Sequence, residues 1–490
     1  MSRCTFFAVI LALFAVAVTG SAAQTVSVYA TSPDMAEALS PRTPLHFNKA
    51  DAGDSAPLIT VDDSQRFQQI DGFGASLTDA AAWLFMNKLT PAQTDAAFKM
   101  LFSRKNGIAL GFLRQPVGSS DLSVTFYSFD DLCRQTTEAC TTPASADDFG
   151  LARFTIQHDE AYMIPLLRKA LELNPDLHVM LSPWSPPGWM KTSGSMLGAD
   201  PANGKPASLR PEAATAYALY LVKTIKAYQA EGVPVYALSV QNEPLYAPPS
   251  YSGMLMPAEQ QADLLANALG PVMTEAGLTT KVMVYDHNWD RPDYPETVFK
   301  NDKARMLAAG IAWHHYAGDP AAMTKLHDEF PQKDEWVTEG SGGGWQTGNV
   351  LAQEAAELVA STRNWARSYV LWALATDQNH GPHVGGCDKC RGLVTINLTD
   401  PSHATVKPEL DYYVLGQASK FVLPGAVRIA SDEPAGTPVK DVAFRNPDGA
   451  IVLYTVNTGT KSEAVRIGFR QKTAATTLTA GAVATFIWKP

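Results

Sequence analysis

Short apolar runs recur along the chain, each closing in polar or glycine-rich residues and followed by a stretch of helical periodicity. They are FQQIDGFGAS (67–76), ALGFLRQPVG (109–118), LHVMLSPWS (177–185), VYALSVQNEP (235–244), KVMVYDHN (281–288), GIAWHHYAG (310–318), EWVTEGSGG (335–343) and YVLWALATD (369–377). Between them, EAYMIPLLRKALEL (160–173) and PEAATAYALYLVKTIKAYQAEG (211–232) space their apolar residues three and four apart, as an amphipathic helix does. Strand-like runs alternating with helices over about 300 residues predict an α/β fold, a (β/α)8 TIM barrel rather than an open sheet.

After about residue 421 the helical period is lost and short alternating strands follow. VAFRNPDGAIVLYTVNTGT reads as a hairpin turning at Asn446-Pro447-Asp448-Gly449, and ATFIWKP as a closing strand. TVSVYATS and PLITVD, near the start, are strand-like too. Both termini are therefore expected to build one small all-β sandwich beside the barrel. The division is 1–23 leader, 24–65 N-terminal strands, 66–420 catalytic barrel and 421–490 C-terminal sandwich.

The leader carries Arg3, an apolar FFAVILALFAVAV too short to span a bilayer, and small residues in TGSAAQT. It reads as a signal peptide cut after Ala23, which places the mature protein outside the cytoplasm, secreted or periplasmic. No other stretch is apolar and long enough to cross a membrane, so stable membrane insertion is not expected. Removing the leader leaves Cys133, Cys140, Cys387 and Cys390, most simply paired Cys133–Cys140 and Cys387–Cys390. CDKC could be half of a zinc site, but no second CxxC or HxxxH follows to complete it. The 490 residues suit one large domain and a smaller one, and 46% apolar with 18% charged residues is ordinary for a globular protein. A net charge of −10 without clustered Lys or Arg argues against nucleic acid as a partner.

The polar strand ends carry the chemistry. LSVQNEPLYAPPS (238–250) ends an apolar run in Gln241, Asn242 and Glu243, and Pro244 forbids its continuation. The seventh run ends in Glu339. In a barrel both ends open on one mouth. Two carboxylates facing each other there are what glycoside hydrolysis needs, and a separation of about 5–5.5 Å gives retention of configuration. Arg114, Trp184, Asp286, His287, His314, His315, Tyr316, Trp372 and Asp377 stand at other strand ends. Aromatic faces stack on sugar rings while Asp, Asn, His and Arg satisfy hydroxyls.

DGFGASLTDAAAW, LRQPVGSSDLS, LSPWSPPGWMKTSGSM, SVQNEP, WHHYAGDP and VTEGSGG, in that order, resemble glycoside hydrolase family 30, the family of glucosylceramidase. The resemblance runs from about 66 to 425. It implies a retaining β-glycosidase with Glu243 as acid/base and Glu339 as nucleophile, and no cofactor or metal. It further implies Asn242 on the sugar 2-hydroxyl, Asp121 and Arg114 in the substrate site, and Trp184 and Trp372 as walls of the glycone pocket. His314 and Tyr316 fall on the family's His and Tyr, with Tyr316 beside the nucleophile. Asp79 reads as a helix N-terminal carboxylate, Arg114 as an orienter of the nucleophile, and His315 as a packed core histidine. After the eighth strand the family's lid is replaced by NHGPHVGGCDKCRGL, where His380, His383 and Arg391 are candidates to face sugar. Trp345 is a candidate subsite wall.

The leading expectation is hydrolysis of glucosylceramide-type β-glucosides by a glycosyl-enzyme intermediate, with a carbohydrate or glycolipid as partner. An endo-β-1,6-glucanase or β-xylosidase of the same family is the alternative. A metal-dependent hydrolase using His314, His315, Asp286 and His287 and a non-catalytic carbohydrate-binding protein are the readings from other classes. Retention of both Glu243 and Glu339 speaks against the last.

Overall fold

The computed structural model describes residues 24–50, 55–131, 147–400 and 402–490. The predicted leader and the Cys133–Cys140 pair lie outside them. Eight parallel strands close into a barrel in chain order: β1 (Gly72–Ser76), β2 (Phe112–Val117), β3 (His178–Pro183), β4 (Ala237–Ser239), β5 (Lys281–Asn288), β6 (Ala308–His314), β7 (Asp334–Glu339) and β8 (Ala366–Leu371). β8 pairs back onto β1, Ser368 beside Gly72 and Leu371 beside Ala75. These strands read as near-continuous apolar runs because helices cover their outer face and side chains fill the interior.

The interior is a packed plug rather than a pore. Phe112, Met180, Ala237, Met283, Ala312, Trp336 and Val370, one from each of seven strands, form one buried cluster. At its base Asp71 accepts from Trp336 Nε1 at 2.7 Å and from Tyr236 hydroxyl at 2.6 Å, and pairs with Arg367 at 2.9 Å. A buried carboxylate is tolerable when so fully bonded. Pro165 lies within helix Gln157–Leu173, yet the amphipathic stripe of Met163, Ile164, Leu166, Leu167 and Ala170 stays buried.

The second layer is a sandwich built from both ends of the chain. Its ten strands share one sheet order in which Thr25–Thr31 pairs with Val483–Trp488, and Leu58–Gln69 with both Val427–Ser431 and Glu463–Phe469. The predicted hairpin is present, Val439–Arg445 against Ile451–Asn457, with Gly449 at φ 83° in the turn, a backbone angle glycine adopts without Cβ strain. One core lies between its layers, including Val26, Val28, Ile59, Ile467 and Phe486. Its other face, with Phe444, Val452, Tyr454 and Val483, joins the barrel's helical core. Phe73 meets Phe444 edge-on with ring centroids 6.2 Å apart, and Thr485 donates to Gln417 of helix Leu410–Ser419 at 2.7 Å. The barrel and sandwich are thus packed through a shared apolar layer.

Candidate active site

Because all eight strands are parallel, their C-terminal ends open together. Glu339 is the last residue of β7. β4 ends at Ser239, and the chain then leaves the ladder. Asn242 N–H donates to the Pro183 carbonyl at 2.8 Å and Glu243 N–H to the Asp286 carbonyl at 2.9 Å. Glu243 sits at φ 43°, a left-handed conformation that a residue with a Cβ adopts at a cost of about 1–3 kcal/mol. The two neighbouring strand ends hold it there. Gln241 is not in the cavity: its Nε2 donates to the Trp184 and Asn242 carbonyls at 2.7 and 2.9 Å, bracing β3 to β4.

Arg114 is fully buried in β2, below the floor rather than on it. One terminal nitrogen donates to Glu339 Oε2, and the other to Asn242 Oδ1 at 2.7 Å, Asp286 Oδ2 at 2.8 Å and Ser182 Oγ at 3.1 Å. Asp286 in turn accepts from Ser239 at 2.6 Å, Ser182 at 2.8 Å and Thr338 at 2.7 Å, and lies 3.0 Å from His314 Nε2. Burial opposes its charge, but Arg114 and His314 outweigh it and hold the carboxyl well below its usual range. Arg114 thus fixes the Glu339 carboxylate, the group the sequence reading has it orient.

His314 stands between the acids, Nδ1 at 3.0 Å from Glu243 Oε1 and 3.7 Å from Glu339 Oε1. Burial disfavours its charge, yet Glu339, with bonds to Asp286 and Glu243, pushes its pKa up to about 9, so it is an imidazolium at neutral pH. At Glu243 burial is outweighed by the hydrogen bond and charge of His314, and its carboxyl is lowered. At Glu339 burial prevails over the charges of His314 and Arg114, Glu243 adds to it, and the carboxyl is raised. The two therefore titrate as a pair. Tyr316 hydroxyl donates to Glu339 Oε1 at 2.9 Å.

Above this floor is a cavity of about 240 Å³ lined by Asp121, Trp184, Asn242, Glu243, Tyr316, Glu339 and Trp372. Seven of the nine predicted site residues thus meet on its wall, while Arg114 and His314 act from beneath. Trp184 and Trp372 are buried and stacked, centroids 5.0 Å apart at 27°, and Arg114 lies 4.7 Å over the Trp184 ring. Burial first, then the Glu339 charge, raises the Asp121 carboxyl to about 7, against the pull of the Cys387 N–H. Trp345, 50% exposed, stands at the rim.

Several residues lie elsewhere than the sequence suggests. Arg391 is turned away from the cavity, gripping Asp411 with two nitrogens and Gln346 Oε1 at 3.0 Å. His380 Nδ1 lies 3.1 Å from the Cys390 carbonyl. Asp79 opens helix Asp79–Asn87, but Thr78 caps it, while Asp79 accepts from Val124 N–H at 2.7 Å and lies 2.8 Å from His158 Nε2. Sequence reasoning passed over Tyr251 on the cavity wall and the central place of Asp286. The signal for Asp286 was three inward hydroxyls, Ser182, Ser239 and Thr338, on different strands. Among the described residues Glu243, His314 and Glu339 offer three ligand atoms within 4.8 Å of one another. A cation there would meet the charges of His314 and Arg114, so the set is already neutralised by the protein.

The model for the glycosyl hydrolase family 30 TIM-barrel domain matches residues 70–422, and that for the family 30 beta sandwich domain matches 425–486. The chain is 35% identical over 446 residues to the endo-1,6-beta-D-glucanase of Neurospora crassa, covering 88% of each. It is 27% identical over 453 residues to the lysosomal acid glucosylceramidase of Mus musculus, covering 88% of this chain and 83% of that one. Among solved structures, the endo-beta1,6-glucanase BT3312 superposes with a TM-score of 0.82 at 29% identity, covering 95% of this chain and 100% of that one. Barrel and sandwich together, the chain belongs to glycosyl hydrolase family 30 and is a retaining glycoside hydrolase.

Proposed function

We propose that the protein is an endo-acting β-1,6-glucanase. The observation that carries the chemistry is the placement of one oxygen each of Glu243 and Glu339 within 4.8 Å of each other, the close spacing a retaining pair needs. The substrate rests on likeness: endo-1,6-beta-D-glucanases of Neurospora crassa and Trichoderma harzianum are 35% and 34% identical to this chain. Glucosylceramide, the leading expectation from sequence, has weaker likenesses behind it, to putative glucosylceramidases of Caenorhabditis elegans at 28–30% identity and to the mouse enzyme at 27%.

In the first step Glu339 attacks the anomeric carbon and Glu243 protonates the departing glycosidic oxygen. The free site orders the pair the other way, Glu243 lowered and Glu339 raised. The reaction reverses this: positive charge growing on the sugar favours ionised Glu339, and negative charge growing on the leaving oxygen draws the Glu243 proton. Once Glu339 is esterified its charge is gone, and Glu243 serves as base toward water. Arg114, bonded to Asn242 Oδ1, leaves the amide nitrogen free to donate to the 2-hydroxyl. Asp121, Trp184 and Trp372 hold the glycone, and export from the cytoplasm accords with the leader and the Cys387–Cys390 disulfide.

The test is hydrolysis of a linear β-1,6-glucan, an aryl β-glucoside and glucosylceramide side by side, with Glu339→Ala as control. Release of mixed-length oligosaccharides with retained configuration, absent in the variant, supports the reading. Cleavage of glucosylceramide in preference to the glucan would overturn it.

A further inference from the structure

The lid segment between Asp377 and Val394 has no helix or strand of its own. Within it Cys387 and Cys390 are joined by a disulfide, with Cα atoms 5.6 Å apart, and both cysteines line the sugar cavity. One side of this turn grips Asp121. Cys387 N–H donates to Asp121 Oδ2 at 3.2 Å, and Val384 N–H donates to the Asp121 carbonyl at 2.9 Å. Gly386 packs so tightly there that a Cβ would stand 2.3 Å from Asp121 Cβ. The other side grips the segment after the nucleophile: Gly344 N–H donates to the Lys389 carbonyl at 3.0 Å and Arg391 N–H to the Gly342 carbonyl at 2.9 Å. Arg391 then anchors the turn to Asp411.

We propose that the Cys387–Cys390 disulfide is a positioning device for sugar binding: it stiffens an otherwise irregular turn so that Asp121 is held against the glycone and in register with the Glu339 loop. This rests on Asp121 being a sugar-binding residue, as read under Proposed function. Apart from its chain neighbour Leu122, the backbone group that steers this carboxylate is the Cys387 N–H, so its aim is sensitive to slack in the turn that carries Cys387, and preorganised contacts lose most when their support loosens. Reduction by a dithiol breaks the S–S bond, leaves two thiols, and oxidises the dithiol to its own disulfide. The folded enzyme should then bind sugar less well without losing its catalytic pair.

The experiment uses the full chain and a β-1,6-gluco-oligosaccharide of defined length. The double variant Cys387→Ser/Cys390→Ser is compared with the parent, and again in an Asp121→Ala background. The expected result is a rise in KM of about tenfold with kcat within about threefold in the Asp121 background, and a change below twofold in kcat/KM in the Asp121→Ala background. Equal losses in both backgrounds would mean plain scaffolding and would overturn the proposal, as would an unchanged KM. Should the serine pair fail to fold, the parent is treated with dithiothreitol while native, and alkylated thiols are located by mass spectrometry. A KM rise that follows alkylation of Cys387 and Cys390 supports the proposal; both thiols alkylated with KM unchanged overturns it. A parent inactive on every β-glucoside defeats the functional reading itself, and the proposal with it, before any variant is made.

Discussion

Asn242 and Glu339 are held by the two terminal nitrogens of one guanidinium. Arg114 meets Asn242 Oδ1 at 2.7 Å with one and Glu339 Oε2 with the other, and the same group reaches Asp286 at 2.8 Å. The groups proposed to meet the 2-hydroxyl and to attack the anomeric carbon therefore share one rigid support. A lysine offers a point charge on a flexible stem and cannot span both. Arg114→Lys should fold but lose on the order of 10²-fold in kcat/KM, since misplacing reacting groups by about 1 Å costs that much. Kinetics within threefold of the parent would show that the fork is not needed.

His314 gives a stability prediction with a defined sign. Its pKa is about 9 in the folded protein against 6.5 ordinarily. A raised pKa contributes stability that is complete below about pH 6.5 and is lost as pH climbs through about 9. The gap is worth roughly 3 kcal/mol. Thermal melts from pH 6 to 9.5 should show a falling midpoint in the parent and a shallower fall in His314→Gln. Parallel curves would sink the idea.

Glu243 should be dispensable in proportion to the leaving group. Glu243→Ala should lose about 10²–10⁴-fold on glucan, where the departing alkoxide needs a proton. On an aryl glucoside with a strongly acidic phenol the first step should survive, azide should restore turnover, and the alkaline limb of kcat/KM should disappear. An aryl glucoside rate as depressed as the glucan rate, with no azide effect, would place the donor elsewhere.

Trp345 offers a way to test chain binding apart from chemistry. It stands at the cavity rim, 50% exposed, while Trp184 and Trp372 are buried within. A ring stacked on a sugar beyond the cleaved bond is worth about 0.5–1.5 kcal/mol. Trp345→Ala should therefore raise KM for β-1,6-glucan some three- to tenfold and leave the aryl glucoside unchanged. Equal losses on both substrates would place the ring against the glycone instead.

Much of this was legible in the sequence because buried parallel strands must be apolar and must end in polar residues where they open on a site. The eight runs and both Glu243 and Glu339 follow from that rule. Asp286 did not, since its role comes from Ser182, Ser239 and Thr338 on three strands converging on one carboxylate. Arg391 misled for a related reason: a charged residue beside the CDKC turn looks free for sugar until helix Leu410–Ser419 brings Asp411 to it. The sandwich order was hidden as well. No local pattern tells strand Leu58–Gln69 that its neighbours are Val427–Ser431 and Glu463–Phe469.

The pairing of Thr25–Thr31 with Val483–Trp488 has a consequence for how the chain is made. At about 5–20 residues per second, the early strand waits on the order of tens of seconds for a partner that is synthesised only after the whole barrel. Its TVSVYAT segment is β-prone and uncharged, the kind that pairs with other chains when left open. A ribosome that stalls after the barrel thus releases a product with a bare sheet edge rather than a smaller working enzyme. Closing of the sandwich by Val483–Trp488 is thus the step that removes this open edge from the new chain.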